Sequence, residues 1–353
     1  MGRYISGLLQ GLSSLEPVAG FSFQPLFGPR AVAFSARPGA GEAVRRLAKR
    51  VPFAYALAEA SRAVSLETLR RNGLSLYHET NHAAPRFRGP VVLTIHDLVT
   101  LLYPETQERA RARHFARALL HRARDATRII VPTEAIGREV VQHLGVAPER
   151  VRAIHHGVDA HFVPAPSPRE GPLLCVGALD PRKGLLTLLE AYDALPARLS
   201  RAHPLVLAGP AGLLSPELGR RLRARRDGSL ILTGYLSDPA LLSLFREAAL
   251  FCLPSSYEGF GLPLAEALAC GLPAVASDDP ALLEVSQGAA LHFPRGDAQA
   301  LSAALERALE DPGLREELAR RGPERARHFS WARSAAEHLA VYREAAALDG
   351  RAR

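Results

Sequence analysis

Residues 258–273 read EGFGLPLAEALACGLP. The apolar run before them, LFCLPSS (Leu250 to Ser256), reads as a buried strand. After Pro263 the run LAEALAC favours helix; Pro263 suits its first turn and Gly271 its end. The segment is therefore strand, glycine loop, helix. Such a loop brings bare backbone N–H groups to a helix N-terminus, where roughly half a unit of positive charge attracts an anion. Glu258 and Glu266 stand eight positions apart, and Glu266 is expected in the first helical turn, facing the same cavity. A phosphate beside sugar hydroxyls would use both features, the N–H groups for the phosphate and the carboxylates for the hydroxyls.

Working outward, apolar strand-like runs recur along the whole chain, separated by helical stretches. In the first half they are LSLYH (Leu74 to His78), VVLTI (Val91 to Ile95), RIIVP (Arg128 to Pro132) and VRAIH (Val151 to His155). In the second half they are PLLCVG (Pro172 to Gly177), PLVLAG (Pro204 to Gly209), SLILTG (Ser229 to Gly234), LFCLP, PAVAS (Pro273 to Ser277) and AALHF (Ala289 to Phe293). This alternation predicts an α/β architecture of parallel sheets flanked by helices. PAPSP (Pro164 to Pro168) reads as a stiff polar linker. It divides the chain into residues 1–163, residues 164–330 and a helical tail, residues 331–353. Two doubly wound domains joined in this way face each other across a cleft, with ligands beyond the carboxyl ends of the strands.

The 353 residues bury a sizeable core, and 47% apolar content suits a soluble globular protein. No apolar run reaches the roughly 20 residues that span a bilayer. Cys175, Cys252 and Cys270 lie in apolar contexts without metal-type spacing and read as buried thiols of a reducing compartment, so no metal site is expected. The net charge of +8 is uneven: residues 1–160 carry 22 Lys+Arg against 13 Asp+Glu. The densest basic run is Arg109, Arg111, Arg113, Arg117, Arg122, Arg124 and Arg128. It lies on a helix-like stretch that suits an anionic membrane surface or a plain solvated face. Only Lys49 and Lys183 are lysines among 44 basic residues, so Lys183 invites a specific reason, such as a compact ammonium on a phosphate.

EGFGLPLAEALACG resembles the Glu-x7-Glu signature of retaining glycosyltransferases of family 4, which have the GT-B fold. VGALDPRKGLLTLLEAY (Val176 to Tyr192), TGYLSD (Thr233 to Asp238) and FSW (Phe329 to Trp331) follow the family's order and spacing. The resemblance implies two Rossmann-like domains, with the tail crossing back to the first. It also implies a strand and a glycine-rich turn ahead of Met1-Gly2-Arg3-Tyr4, so that this chain begins inside the turn and lacks the first strand.

By the same resemblance Arg182 and Lys183 hold the donor's pyrophosphate, and Glu258 faces the donor sugar. Gly259, Phe260, Gly261 and Leu262 supply donor-binding backbone, Glu266 holds ribose hydroxyls, and the loop of Gly234 and Tyr235 takes the nucleobase through backbone groups, with Tyr235 either stacking on the base or capping the strand. Many relatives place arginine immediately after the strand's glycine; here that position is Ala178, and Arg182 of the Pro-Arg-Lys turn replaces it. In the first half, TIHDL places His96 and Asp97 at a strand's carboxyl end. The resemblance has His96 contact the transferred sugar or the acceptor. Asp97 and, one strand earlier, His78 and Asn81 are acceptor-side candidates. Thr133 reads as a helix N-cap and Gly157 as a turn residue.

The implied activity is retaining transfer of a hexose from a nucleotide sugar to a glycan or lipid-linked acceptor. The Pro-Arg-Lys subgroup leans toward mannosyl transfer in cell-envelope polysaccharide synthesis, with GDP-mannose as the first choice and UDP- and ADP-sugars as alternatives. No cofactor, metal or nucleic acid is expected. The expected location is the cytoplasm, at the inner face of the plasma membrane. Two competing readings are a GT-B sugar-nucleotide epimerase or hydrolase, and a truncated, inactive transferase-like basic binding protein.

Overall fold

The computed structural model describes residues 2–15, 70–71, 73–80, 87–104, 109–164, 170–212, 215–224 and 228–350. Asn81 and most of the PAPSP linker lie outside the described residues, as do the side chains of Arg109, Arg111 and Arg113.

Every strand-like run of the sequence that was named above forms a strand. The first sheet has the order β1 (Tyr77–Glu79), β2 (Val91–Thr94), β3 (Arg128–Val131), β4 (Val151–Ala153), all parallel. The second holds β5 (Leu173–Val176), β6 (Leu205–Ala208), β7 (Leu230–Gly234), β8 (Leu250–Leu253), β9 (Ala274–Ser277) and β10 (Leu291–Phe293). Its order is β10-β9-β8-β5-β6-β7, again all parallel. The strand order reverses between β5 and β8, and that is where doubly wound sheets take their ligands.

Strand periodicity assigns the layers. In the second sheet Leu173, Cys175, Leu205, Leu207, Leu250 and Cys252 face one apolar cluster, while Leu174, Val206, Phe251 and Leu253 face another. Both faces are covered, so β6, β8 and β9 are buried throughout. The edge strand β7 differs, with Ile231 and Leu232 exposed. In the first sheet Leu93, Ile129 and Val131 point to one side. Val92, Ile130 and Ile154 point to the other, where the first helix (Gly2–Ser14) and the last (Trp331–Gly350) share a core with Tyr4, Leu8, Leu12, Trp331 and Leu339. These two helices touch because Gly7 and Gly11 present no side chain: a Cβ on Gly7 would stand 2.0 Å from the Trp331 ring, and one on Gly11 2.3 Å from the Trp331 carbonyl. Among the described residues no helix is long and apolar enough to cross a membrane.

Hydrogen bonds join the lobes across the cleft. Thr133 caps the helix Glu134–Leu144 by accepting from the Ile136 N–H, and donates to the Gly259 carbonyl at 3.0 Å. Glu284, on the helix Pro280–Ser286, accepts from the N–H groups of Glu134 and Ala135 at 2.9 and 3.0 Å. Its partner His155 stands 3.0 Å away.

Candidate functional site

Two loops meet at the point of reversal. The one after β5 carries Pro181–Lys183 as a single 3-10 turn, begun by Asp180, whose side chain accepts from the Arg182 N–H. The one after β8 carries Ser255, Tyr257 and Glu258. The Ser256 N–H donates to the Arg182 carbonyl at 2.8 Å and ties the loops together. Lys183 Nζ then lies 2.5 Å from Glu258 Oε1, Ser255 Oγ donates to the same oxygen at 2.7 Å, and Arg182 stands 3.8 Å from Glu258 Oε2. Two cations at one turn called for an anion, and within the protein that anion is Glu258. Burial alone would raise its pKa, but Lys183 and Arg182, with the hydrogen bonds from Lys183 and Ser255, carry it below the ordinary range. Glu258 is therefore an ionised, hydrogen-bond-accepting group, not a proton donor. Arg182 also stands 3.8 Å from Asp180 Oδ1, so the two cations face two carboxylates.

Beyond Glu258 the chain forms the glycine loop and the helix Leu262–Ala269, with Pro263 in its first turn and Gly261 at its N-cap. The N–H groups of Gly259, Phe260, Gly261 and Leu262 donate to no other described residue. They form a set of backbone donors at a helix N-terminus, beside Lys183 and Arg182. Phe260 turns its ring inward, onto Phe329 and His156, so it offers the site backbone alone. Glu266 falls in the second helical turn and not the first, because the helix begins at Leu262. Arg3 of the first helix holds its Oε1, while its Oε2 is buried without a hydrogen-bond partner. Burial pushes the Glu266 pKa up to about 7 in spite of Arg3.

The first lobe contributes His96. A Cβ on Gly259 would stand 2.0 Å from the His96 carbonyl, so this glycine lets the loop lie directly on the end of β2. His96 Nε2 is 3.2 Å from the Thr80 carbonyl, and its ring meets Tyr4 edge-on at 4.7 Å. Asp97 accepts from the Val99 N–H and starts the short helix Val99–Leu102. His78 has both ring nitrogens engaged, by Tyr342 and Thr94 at 2.7 Å each, and serves to hold the last helix on the sheet. Tyr235, just past β7, is 80% exposed, next to Gly234 with its positive φ.

Three contributions escaped the sequence reading. Tyr257 spans the lobes: its hydroxyl accepts from the Leu98 N–H and donates to Glu139. Arg3 bridges Glu266 and Asp238. A neutral relay runs beneath His96. The Ser334 carbonyl can only accept, so His338 Nδ1 donates to it at 2.7 Å. His338 Nε2 then accepts from Tyr4, Tyr4 from Thr94, Thr94 from His78, and His78 from Tyr342. Burial pushes the His338 pKa down to about 4 and that of His78 well below the ordinary value. The only sequence signal for this relay is Tyr4 and His338 standing on otherwise apolar helix faces.

The arrangement can neutralise a diphosphate with Lys183, Arg182 and backbone donors, and offers Glu266 to hydroxyls beside it. Residues 159–325 match the family model of glycosyl transferases group 1, and residues 29–162 that of glycosyltransferase family 4. The chain is 31% identical over 283 residues to O-antigen chain mannosyltransferase B of Escherichia coli, covering 76% of this chain and 74% of the relative. It is 32% identical over 270 residues to the serotype-specific mannosyltransferase WbdA of E. coli, covering 71% of this chain but only 32% of that longer protein. Among solved structures, Anabaena HepE in complex with UDP and glucose superposes with a TM-score of 0.66 at 19% identity, over 91% of this chain and 84% of HepE. Its two parallel sheets share the GT-B architecture, and the chain is a glycosyltransferase belonging to family 4, group 1.

Proposed function

We propose that this glycosyltransferase moves a hexose, mannose in the first instance, from a nucleoside diphosphate sugar to a glycan or lipid-linked acceptor with retention of configuration. One observation carries the reading: Lys183, Arg182 and four undonated backbone N–H groups converge where the strand order reverses. Breakage of the anomeric C–O bond leaves negative charge on the departing diphosphate, and these groups stand ready to take it. One such preorganised donor commonly accounts for ~10²–10³ in rate. The acceptor oxygen attacks from the face the diphosphate leaves, and its proton passes to a diphosphate oxygen. Glu258, kept ionised by its cations, faces the sugar and stabilises positive charge at the anomeric carbon. It does not pair with Glu266 as a glycosidase acid and nucleophile would, because one loop and its helix supply both, on one side of the bond.

The names of the two E. coli relatives support mannose, and the UDP and glucose bound to HepE support a nucleotide-sugar donor. GDP-mannose is the first donor to try, then UDP- and ADP-sugars. The helix Arg109–Asp125, rich in arginine, is proposed to rest on an anionic membrane at the cytoplasmic face, where a lipid-linked acceptor lies. Isothermal titration of the full chain with GDP, UDP and ADP tests the core of the reading, and absence of binding to all three would overturn it. Mass spectrometry of products with GDP-mannose and candidate acceptors separates transfer from epimerisation or hydrolysis.

A further inference from the structure

Arg3 is the one side chain of the first helix described as reaching the carboxylates of the second lobe. One guanidinium nitrogen donates to Glu266 Oε1 and another to Asp238 Oδ1, so it ties the start of the helix Asp238–Glu247 to the second turn of the helix Leu262–Ala269. Glu266 is 2% exposed and Arg3 28%, which places the pair at the wall of the cleft with the carboxylate innermost. Only one Glu266 oxygen is used. The other, Oε2, is fully buried and has no partner, an arrangement that costs a carboxylate dearly unless a donor group arrives.

The charge on Glu266 is also contested. Burial drives it toward the neutral acid, Asp159 and Asp238 push the same way, and Arg3 opposes them through charge and hydrogen bond. A neutral acid is a poor acceptor for two hydroxyls, because one of its oxygens carries the proton. Whatever keeps Glu266 ionised therefore governs how well it receives them. The fork of Arg3 also fixes the rotation of the carboxylate, since Asp238 anchors its second nitrogen.

We propose that Arg3 is a positioning residue for the donor: it holds Glu266 as an oriented carboxylate through Oε1 and leaves Oε2 to accept from the hydroxyls of the nucleoside. The inference rests on the reading of Glu266 as the residue that receives those hydroxyls. It assigns the first helix a part in donor binding, although that helix belongs to the opposite lobe.

The test is calorimetric binding of GDP and UDP and of their 2′,3′-dideoxy forms to the full chain between pH 6 and pH 9, for wild type, Arg3→Gln, Arg3→Lys and Glu266→Gln. Wild type should prefer the ribose forms, with a preference that weakens as the pH falls below about 7. An opposite charge at contact moves a carboxylate by about one to three pH units, so Arg3→Gln should raise the midpoint of that preference by at least about one unit. The preference would vanish near neutrality and return toward pH 9. A merely structural role lowers affinity at every pH alike and leaves the midpoint in place, and that outcome overturns the proposal. If Arg3→Gln does not fold, Arg3→Lys, which reaches only one of the two carboxylates, should shift the midpoint the same way by less; no shift overturns the proposal. Glu266→Gln separates the two layers. Loss of the ribose preference there, with no shift in the Arg3 variants, sinks the Arg3 role alone. A preference unchanged in Glu266→Gln sinks the hydroxyl-binding reading and the Arg3 role with it.

Discussion

The loops after β5 and β8 of the second sheet meet the cleft with ions, and the end of β2 in the first sheet rests on a relay of neutral groups. After β5 and β8 stand Lys183, Arg182 and an ionised Glu258. At the end of β2 the Thr94 hydroxyl sits in a relay through Tyr4, His338, His78 and Tyr342 in which burial keeps the histidines uncharged. The two clusters partner their polar groups by different means, while Glu266 Oε2, His156 Nδ1 and Ser334 Oγ are buried without a hydrogen-bond partner. The charged cluster keeps surplus donors for a ligand, whereas the relay uses its donors up to fasten the first and last helices to the sheet. The cations beside the backbone donors therefore belong to one lobe, and the other supplies shape, a histidine edge and the guanidinium of Arg3 on Glu266.

The largest effect should follow from removing the ammonium of the charged cluster. Lys183→Met is expected to lower kcat by ~10²–10³, as loss of a preorganised donor to a leaving group does. The structure adds a cost in folding: Glu258 would be left buried with one cation 3.8 Å away, and breaking such a pair costs about 3–5 kcal/mol. Lys183→Met combined with Glu258→Gln should recover most of that stability in urea unfolding while turnover stays low. Recovery of turnover as well would mean that Lys183 serves only to neutralise Glu258, and the contrast between the lobes would lose its functional meaning.

Acid should act on His338 and on Glu266 with opposite signs. His338 has a folded pKa of about 4 against 6.5 unfolded, so the unfolded chain binds more protons between those values and stability is lost as the pH falls. The loss amounts to about 3 kcal/mol by pH 4, and His78 adds to it in the same direction. Glu266, raised to about 7, and Asp279, raised to about 6, do the reverse. Their protonated forms are favoured in the fold, so they contribute stability in acid that is lost as the pH rises toward 7. Denaturant unfolding from pH 7 to pH 4.5 should show a shallower acid loss in His338→Gln and a steeper one in Glu266→Gln. Equal slopes in both variants would remove the contrast between a buried neutral histidine and a buried carboxylate raised by desolvation.

Much of this was legible before the structure. All ten strands and the strand–loop–helix at Glu258 follow from apolar period, proline and glycine, which are local signals. Thr133 as an N-cap is equally local. The pairing of Lys183 with Glu258 was not legible, because it joins residues 75 positions apart whose types alone suggested separate ligands. The turn assignment of Glu266 failed for a smaller reason: helix starts are uncertain by a residue or two, and this helix begins with Leu262 and not after Pro263. Tyr257 offered no pattern at all, since its partners Leu98 and Glu139 come from the other lobe. His78 was read from its place at a strand end, but a strand end also lies under the helices that cover the sheet, and there it meets Tyr342.

A smaller effect is expected at the seam between the lobes. Glu284 caps the helix Glu134–Leu144 from the opposite domain and pairs with His155. Glu284→Ala should cost about 1–2 kcal/mol, the usual range for a lost helix cap. Because the cap crosses the cleft, KM for the donor should rise more than kcat falls. A change confined to stability would show that lobe closure owes nothing to this contact.

The smallest effect should come from Tyr235, the most exposed of the large apolar side chains described. It packs on no core cluster, so Tyr235→Ala should leave unfolding within about 0.5 kcal/mol of wild type. Against a nucleobase its ring would contribute about 1 kcal/mol, the lower end for base stacking on an aromatic group, which is about fivefold in Kd. Nucleoside diphosphate binding therefore reads the two possibilities apart: fivefold weaker binding with unchanged stability assigns Tyr235 to the base. Unchanged binding leaves the base to backbone groups of the Thr233–Asp238 loop, so that the end of β7, like the glycine loop after Glu258, serves the ligand through backbone alone.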